Sequence, residues 1–346
     1  MVDDNNTAQS ILANYGLETA RISPLGNGLI NQTWLVENGV SEHFVLQRVN
    51  SMFPAAINQD IDVLTRHIEA KGLTTCRLVP ANDGALWVEH EKGVWRLLSR
   101  VDGASRNALT SAAQAREAGV VLGQFHLAVS DLEHTFSNLR LGIHDTARHL
   151  RFLDETLRNR THHPEYAAVS SLGREILDIA KSLPVLPQVP DRVVHGDPKV
   201  NNILFEAGGN RAICLVDLDT ISQMPLPLEL GDAMRSWCNP SGEDYWTGEF
   251  SAELFVPAIE GYAEQTRGWI LPEEWSSIVP ATHIILIELA ARFCADALNE
   301  TYFAWDPQKF ATRSEHNQVR AAGQLTEARS LLAQEKELTA IVNAAF

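Results

Sequence analysis

Carboxylate and amide side chains are concentrated in the segment VVHGDPKVNNILFEAGGNRAICLVDLDTI, residues 193–221. Asp197 precedes Asn202 by five residues, and the apolar run AICLV that follows leads into Asp217. Short apolar runs of this kind are typical of buried strands, where a carboxylate is costly unless a cation or hydrogen bonds compensate its charge. The pattern predicts two short strands that deliver Asp197, Asn202 and Asp217 to one edge.

These side chains suit a magnesium site beside a reactive hydroxyl group. Mg²⁺ takes oxygen ligands in octahedral geometry, usually one or two carboxylates together with amide oxygens, water and nucleotide phosphates. Asn202 and Asp217 match that ligand set. Asp197 is then left to face an acceptor, where it can receive a hydroxyl proton during attack on a γ-phosphate.

Composition and charge indicate an acidic globular protein. The chain has 346 residues, of which 45% are hydrophobic and 21% charged, and this length suits two domains or one domain with a large second lobe. The net charge of −16 argues against a nucleic-acid-binding surface, which needs a basic stripe. The acidity either serves solubility alone or also attracts a cationic substrate.

Cysteine usage and the chain terminus favour a cytoplasmic protein. The four cysteines form no CxxC pair, and the polar N-terminus MVDDNNTAQS is unlike a signal peptide. The most apolar candidate helix, residues 281–298, contains Glu288, Arg292 and Asp296, so we expect a buried core helix and not a membrane span. The sequence leaves the oligomeric state open.

The elements that must position the polar residues divide the chain into two parts. Strand and turn signals dominate up to about residue 100, with a short helix expected over 8–16 and a longer one over 55–72. Amphipathic helices dominate from residue 111 onward. The sequence therefore predicts an α+β protein with a β-rich lobe over 1–100, a helical lobe over 101–346 and a hinge near 98–103. The expected strands of the first part are 21–25, 31–37, 43–50 and two within 76–101.

The segments HGDPKVNN and LVDLD resemble the catalytic loop and metal-binding segment of the aminoglycoside phosphotransferase and choline kinase superfamily, whose fold is similar to that of protein kinases. The resemblance implies a two-lobe kinase-like fold, ATP as co-substrate and Mg²⁺ as cofactor. It implies Asp197 as the catalytic carboxylate, with Asn202 and Asp217 as Mg²⁺ ligands. Asp219 is either a ligand of a second Mg²⁺ or a hydrogen-bonding turn residue. We expect a structural role for His195, whose imidazole would bond the loop backbone.

Shorter matches, spread from about residue 22 to 320, resemble bacterial N-acetylhexosamine 1-kinases; they are PLGNGLINQTWLV, FVLQRVNSMFP, VDLDTI, LGDAMR, RFCADAL and EHNQVR. This resemblance implies an N-acetylhexosamine acceptor, phosphorylated at its anomeric hydroxyl. It favours Arg292 as a ligand of acceptor or phosphate oxygens and gives Tyr302 as a sugar contact. The alternative for Arg292 is an internal ion-pair ladder with Glu288 and Asp296. Leu29 departs from the family, in which a histidine can occupy this place.

Other acceptors therefore remain open. An amino alcohol, homoserine or an aminoglycoside would suit the acidic composition. Asp232 and Arg235 are expected to brace the catalytic loop, and Trp237 either lines the acceptor pocket or belongs to the core.

The first lobe lacks the lysine that kinases place on their third strand to touch the α- and β-phosphates and to pair with a helix glutamate. The corresponding position is Gln47, followed by Arg48, and strand alternation puts these two side chains on opposite faces. Either Gln47 hydrogen-bonds to phosphate, or a local bulge turns Arg48 inward. The alternative for Arg48 is a solvated strand residue, and Asp62 is the nearest candidate for the partner carboxylate.

The remaining predicted nucleotide contacts surround a glycine turn and the hinge. Such turns are mostly plain hairpins, but before INQTWLV in a kinase-like lobe this turn can cover phosphates with backbone N–H groups. Backbone groups near 98–101 are expected to receive adenine. The predicted ATP-binding residues are Gly26, Asn27, Gly28, Asn31, Thr33, Gln47, Arg48, Ser99 and Val101.

The function predicted is that of an ATP- and Mg²⁺-dependent small-molecule kinase. Its partners would be ATP and a small hydroxyl acceptor, without nucleic acid or membrane. The rival from another class is a nucleotide-binding pseudokinase, for which the missing lysine is the only support.

Overall fold

The computed structural model describes residues 2–26, 31–137 and 142–346. It has an α+β fold, as predicted, in which strands dominate the first part and helices the second. The helices are α1 (Val2–Ile11), α2 (Ile57–Ala70), α3 (Ala112–Val129), α4 (Thr146–Asn159), α5 (Tyr166–Ala180), α6 (Leu226–Trp237), α7 (Ala252–Thr266), α8 (Pro272–Trp275), α9 (Ile278–Asn299), α10 (Arg313–Ala333) and α11 (Glu335–Ala345). The strands are β1 (Arg21–Pro24), β2 (Gln32–Asn38), β3 (Glu42–Val49), β4 (Leu78–Val79), β5 (Val88–His90), β6 (Gly93–Ser99), β7 (Asp191–Val194), β8 (Ile203–Phe205), β9 (Ala212–Leu215) and β10 (Ser222–Pro225).

The chain divides into two compact units. The first takes in residues 1–103, 131–139 and 216–219, and the second takes in 104–130, 140–215 and 220–346. The chain therefore leaves the second unit after β9, contributes four residues to the first, and returns at Thr220.

An antiparallel sheet with strand order β1-β2-β3-β6-β4, and with β5 paired to β6, forms the frame of the first unit. Alternation along β2 and β6 places Trp34 and Trp95 on one face, where their rings stack with centroids 5.3 Å apart. Ala8 and Ile11 of α1 belong to the same hydrophobic cluster. One face of the sheet is therefore closed by the N-terminal helix.

The register of β3 decides which polar residues point to the other face. Gln47 lies opposite Arg96 of β6, and Arg48 lies opposite Trp95. Through these residues the described ladders of β3 run without a register shift. The bulge considered as a way to turn Arg48 inward is therefore not formed.

The second unit is built around α9, which packs against α4, α5, α6 and α10. α6 can approach α9 closely because Gly231 faces it, where a Cβ would lie 2.8 Å from the carbonyl carbon of Ala281. Two short antiparallel ladders, β7 with β10 and β8 with β9, complete the unit. These ladders carry the chain into and out of the segment rich in carboxylates and amides.

α9 is the one helix among the described residues that is long and apolar enough to cross a membrane by length and composition. Of its most apolar 18-residue window, 89% is buried inside the protein. A core helix passes the same test of length and composition, and burial of this extent is what we expected from the charged residues within the helix.

Candidate active site

The loop between β7 and β8 is fixed at its first turn by a glycine. Gly196 has φ +81°, and a Cβ at this position would lie 2.0 Å from the carbonyl oxygen of Thr220. The Thr220 hydroxyl donates a 3.0 Å hydrogen bond to the carbonyl oxygen of His195. A side chain at position 196 would therefore push apart the two strands that carry the loop.

The Glu229 carboxylate of α6 is hydrogen-bonded to the backbone of the same turn. Its two carboxylate oxygens each accept a backbone N–H bond of 3.0 Å, one from His195 and one from Gly196. The side chain is fully buried, and His126 Nε2 lies 3.5 Å from Oε1. Glu229 is not among the residues predicted from the sequence, although an acidic residue inside the otherwise apolar helix start LPLEL is visible there.

The C-terminal end of α6 also binds the loop. Trp237 is fully buried, and its Nε1 donates to the carbonyl oxygen of Pro198 at 2.8 Å. The Val200 N–H donates to the Ser236 hydroxyl at 3.0 Å. Trp237 is therefore a core residue that supports the loop, and of its two predicted roles the pocket lining is not the one observed.

Asp232 and Arg235 form a buried ion pair on α6. Arg235 Nε donates to Asp232 at 2.8 Å, and its NH1 donates to Glu243 at 2.6 Å. Arg235 is also close enough to Asp197 to favour its ionised form. This arrangement agrees with the predicted bracing of the loop.

Asp197 lies at the centre of the loop, with 18% of its side chain exposed. Lys199 Nζ lies 2.5 Å from Asp197 Oδ2. Burial by itself would raise the pKa of the carboxyl group, but Lys199, with smaller contributions from His195 and Arg235, holds that pKa below its usual value. Asp197 is therefore ionised at neutral pH. Lys199 went unassigned in the sequence, although its position two residues after the aspartate was visible.

Asn202 is oriented by the same carboxylate. Its Nδ2 donates to Asp197 at two atoms, the carbonyl oxygen at 2.8 Å and Oδ2 at 3.2 Å. This use of Nδ2 leaves Oδ1, an oxygen ligand of the type that Mg²⁺ prefers, as the atom that can face a cation. The β8–β9 ladder pairs Ile203 with Leu215, so the chain enters this ladder just after Asn202 and leaves it just before Val216.

Asp217 follows two residues after β9, in the four-residue segment that belongs to the first unit. Its backbone has φ +64°, a left-handed conformation that is uncommon for residues other than glycine. In the described part of the chain no group of three or more His, Cys, Asp or Glu side chains is arranged to hold a metal ion. The donor set fits Mg²⁺ bound together with nucleotide phosphates better than a metal held by protein side chains alone.

Asp219 is paired with a buried arginine of the first unit. Its Oδ1 accepts from Arg96 NH1 at 2.6 Å, and its Oδ2 accepts from Arg96 NH2 at 2.8 Å. Asn31 Nδ2 adds a third bond of 2.6 Å to Oδ2. Of the two predicted roles for Asp219, the geometry is that of the hydrogen-bonding residue, and the Asn31 amide is used within the protein.

Gln47 and Arg48 point to different faces of the sheet, as predicted. Gln47 Oε1 accepts two bonds from Arg96, and its Nε2 donates to the Thr33 hydroxyl at 3.4 Å. Arg48 forms an ion pair of 3.3 Å with Asp4 of α1. Arg48 is thus directed toward the N-terminal helix and is not the solvated strand residue of the alternative reading.

Asp62 takes different partners from the one considered for it. Its carboxylate pairs with Arg66 at 2.9 Å and with Arg77 at 3.3 Å. The pair with Arg66 lies within α2, and the pair with Arg77 connects α2 with the residue just before β4.

The remaining predicted nucleotide contacts lie at two turns. Gly26 has φ +70°, while Asn27, Gly28 and also Leu29 lie outside the described residues. The Ser99 N–H bonds to the carbonyl oxygen of Arg77 at 2.8 Å, and the Ser99 hydroxyl accepts from the Arg77 N–H at 2.9 Å. Within the described ranges the backbone groups of Val101 make no such bond.

Of the ion-pair ladder considered as an alternative for α9, the Glu288–Arg292 pair is present and the Arg292–Asp296 pair is not. Glu288, fully buried, accepts from the Thr146 hydroxyl at 2.6 Å and pairs with His144 at 3.0 Å. Asp296 instead accepts backbone N–H bonds from residues 301, 302 and 303, each of 2.9 Å. Arg292 is left with a long contact of 3.8 Å to Glu288.

Arg292 lies beside two aromatic rings. Its guanidinium carbon lies 5.8 Å from the ring centroid of Tyr302 and 5.7 Å from that of Phe303. Tyr302 is 53% exposed. The structure therefore places the two predicted acceptor residues, Arg292 and Tyr302, next to each other at a partly open surface of the second unit.

Comparisons with known proteins show the family to which the chain belongs. A family model described as a phosphotransferase enzyme family matches residues 21–268, more than half of the chain. An aminopropanol kinase associated with a microcompartment is similar in structure, with a TM-score of 0.63 and 15% identity over 96% of this chain and 98% of that one. A choline kinase from Cryptosporidium parvum gives a TM-score of 0.62 and 13% identity over 99% and 98% of the two chains.

An aminoglycoside phosphotransferase from Alicyclobacillus acidocaldarius gives a TM-score of 0.59 and 16% identity, covering 97% of this chain and 94% of that one. At these identities the structural likeness shows a common fold, and the family match is what carries the assignment. The chain belongs to the phosphotransferase enzyme family and is a small-molecule kinase that acts on a hydroxyl group.

Proposed function

We propose that this kinase transfers the γ-phosphate of ATP to the anomeric hydroxyl of an N-acetylhexosamine or a related sugar. In this proposal Asp197 binds the acceptor hydroxyl and receives its proton. Phosphoryl transfer depends mainly on positioning and on stabilising charge, so the protein must above all hold its groups in place.

The observation that carries the catalytic part is the support around Asp197. Its carboxylate is ionised, one oxygen contacts Lys199 at 2.5 Å, and Asn202 bonds both its backbone and its side chain. Glu229 and Trp237 hold the loop on either side of it. A pseudokinase has no need for this arrangement. The missing lysine is the only feature that favours the pseudokinase hypothesis.

The cofactor part assigns Asn202 Oδ1 and the Asp217 carboxylate as ligands of Mg²⁺. The bound metal would neutralise charge on the phosphate oxygens. Val101 would meet the adenine through its backbone, while Gly26 and its neighbours would cover the phosphates. Asn31, Thr33, Gln47 and Arg48 make bonds within the protein, so we assign them to support of the nucleotide site.

The acceptor part follows from the charges around Arg292. The two acidic side chains of α9 that could attract an ammonium group are occupied, Glu288 by His144 and Thr146, and Asp296 by backbone N–H groups. The Arg292 guanidinium makes no hydrogen bond to the described residues and lies beside the exposed ring of Tyr302. A cation next to an aromatic ring suits the hydroxyl and carbonyl oxygens of a neutral sugar better than a cationic amine.

The charged groups of α9 also interact electrostatically with those of the catalytic loop. Burial by itself would lower the pKa of the His144 imidazole. Glu288, and to a smaller extent Asp232, outweigh this effect and hold that pKa above its usual value. Asp232 in turn pairs with Arg235, whose charge acts on Asp197. The charged groups of α9 and of the catalytic loop therefore belong to one electrostatic neighbourhood within the second unit.

An acceptor screen tests the proposal. ADP release from Mg-ATP would be measured with a panel of N-acetylhexosamines, amino alcohols, homoserine and aminoglycosides. We expect stimulation by an N-acetylhexosamine, a loss of at least about 10³-fold in Asp197→Asn because the proton acceptor is gone, and no change in Asp178→Asn, a surface carboxylate paired with Lys181. Stimulation only by amines would replace the sugar assignment with the alternative acceptors. No stimulation by any acceptor would support the pseudokinase.

A further inference from the structure

Arg96 is a buried cation on the face of the sheet where kinases place their lysine. Only 2% of it is exposed, and it lies on β6, directly opposite Gln47 of β3. Its Nε and NH2 donate to Gln47 Oε1 at 2.9 and 2.7 Å, and NH1 lies 3.3 Å from Asn58 Oδ1 of α2. Its remaining bonds go to Asp219.

Gln47 is matched to this arginine. The amide oxygen of Gln47 accepts two of the guanidinium N–H groups, which would otherwise be buried without acceptors. A lysine at position 47 would place a second cation against the guanidinium and would remove that acceptor. The glutamine and the arginine therefore form a matched pair, in which the fixed positive charge lies on β6 and not on β3.

Asp219 ties this charge to the segment that carries Asp217. Both of its oxygens are occupied, Oδ1 by Arg96 and Oδ2 by Arg96 and Asn31. Only 1% of Asp219 is exposed. A planar guanidinium that bonds both oxygens of a carboxylate fixes orientation as well as distance.

The fixed segment has a backbone that needs support. Asp217 holds φ +64°, which costs free energy for a residue with a side chain, and such conformations persist where the surroundings over-determine them. Leu215 ends the β9 ladder on one side of Asp217, and Asp219 is bound on the other. The strained backbone of Asp217 therefore lies between two fixed points, the end of the β9 ladder and the Asp219–Arg96 bonds.

We propose that Arg96 is a positioning residue that replaces the missing strand lysine, and that Asp219 is its counter-ion and not a ligand of a second Mg²⁺. Arg96 acts through Asp219 on the segment that presents Asp217. This inference rests on the proposed function, because it takes Asp217 as a metal ligand.

The test is a double-mutant cycle read out by metal binding. Mn²⁺ binding would be measured by electron paramagnetic resonance in the presence of saturating ADP, for the wild type, Arg96→Met, Asp219→Asn and the double variant. Partners that orient a metal ligand typically contribute about 10- to 100-fold to metal affinity. We expect each single variant to weaken Mn²⁺ binding to this extent. The double variant should bind Mn²⁺ at least as tightly as the single variant with the lower affinity. The number of Mn²⁺ ions bound per ADP complex stays the same.

Folding and specificity are controlled within the same experiment. Arg96→Met leaves a buried carboxylate without its partner, whereas the double variant removes both charges, so the double variant is expected to fold even if the single one does not. Metal-free ADP affinity should be unchanged in every folded variant. Arg320→Met removes another buried arginine, which pairs with Asp244 at 2.8 Å; it should lower the melting temperature without weakening Mn²⁺ binding.

Two results would overturn the inference. The first is that the losses of Mn²⁺ affinity in the two single variants add up in the double variant. The second is that Asp219→Asn binds one Mn²⁺ fewer while Arg96→Met has no effect, as expected if Asp219 were a metal ligand. A wild type that binds no Mn²⁺ with ADP would instead contradict the proposed function, so the two failures are distinguishable.

Discussion

At the scale of single residues, the chemistry depends on how Asp197 is kept ionised. The carboxylate is partly buried, which disfavours its charge, and Lys199 at 2.5 Å more than compensates. Asn202 contributes through the same carboxylate, because its amide nitrogen is directed toward Asp197 and its oxygen is left for a cation. Loss of the ammonium group should therefore change the protonation of Asp197 itself.

We predict that Lys199→Met moves the acidic limb of kcat/KM to higher pH. The pKa of the Asp197 carboxyl group lies below its usual value of 3.8 in the wild type. Without Lys199, burial dominates and raises that pKa, so protonation begins at a higher pH and activity falls there first. The measurement is kcat/KM from pH 4 to 8 with the acceptor found in the screen.

Lys181→Met is the matched control, since Lys181 pairs with Asp178 on the surface, where 77% of each side chain is exposed. Its pH profile should follow that of the wild type. An unchanged acidic limb in Lys199→Met would show that Lys199 does not set the pKa of Asp197.

At the scale of elements, α6 acts as the support of the catalytic loop. Glu229 near its start, together with Ser236 and Trp237 at its end, bonds the loop at four backbone atoms. Gly231 on the opposite side lets the helix lie close to α9. α6 is packed against the central helix α9. The loop is therefore bonded to a helix that is itself held in the core.

We predict that Glu229→Gln lowers both stability and turnover. An amide at this position presents a donor to one of two backbone N–H groups, and a buried unsatisfied N–H costs about 1–3 kcal/mol. The free energy of unfolding in urea should fall by about this amount. kcat should fall more than the KM for ATP changes, because the loop positions Asp197.

Asp60→Asn provides the comparison for this prediction. Asp60 is also a buried carboxylate that accepts a backbone N–H, from Ser137 at 3.1 Å, but it lies in the first unit on α2. We expect a similar loss of stability with unchanged kcat. Equal losses of kcat in both variants would mean that the effect of Glu229 is general and not local to the loop.

At the scale of the whole molecule, stability should depend on pH through a buried carboxyl group of α10. Glu327 is fully buried, accepts from Asn239 at 2.9 Å through Oε2, and has no partner among the described residues for Oε1. Burial raises the pKa of this carboxyl group well above 4.5. The folded protein therefore retains a proton that the unfolded chain releases.

We predict that Glu327→Gln reduces the loss of stability as pH rises. In the wild type, the raised pKa makes a contribution to stability that is present below pH 4.5, the unfolded value, and declines above it by up to about 1.4 kcal/mol per pH unit until the folded pKa is reached. Glutamine mimics the protonated form and does not titrate. Urea unfolding between pH 5 and 8 would measure the difference, with the exposed Glu337→Gln as control. Parallel pH profiles for the wild type and Glu327→Gln would contradict the prediction.

The α+β fold, with strands in the first part of the chain and helices in the second, could be predicted because it depends on local patterns. Alternation along 31–37 and 43–50, and the apolar spacing over 55–72, correspond to β2, β3 and α2. These periodicities arise from strand and helix geometry, so they are visible without tertiary contacts. The same holds for the spacing of Asp197, Asn202 and Asp217, which placed the chain near a known superfamily.

The sequence by itself determined the fold class and the reaction class, because residue types and short-range spacing carry both the α+β pattern and the resemblance to a kinase superfamily. Only the tertiary structure decided the partners of buried charges. Arg96 meets Asp219 across 123 positions of the chain, and Glu229 meets the loop across 34. Nothing in the local pattern marks such pairs, since each depends on which side chains the packed core brings within hydrogen-bonding distance. That is why the sequence left open what replaces the missing lysine, whereas the fold shows a buried cation, Arg96, on the adjacent strand.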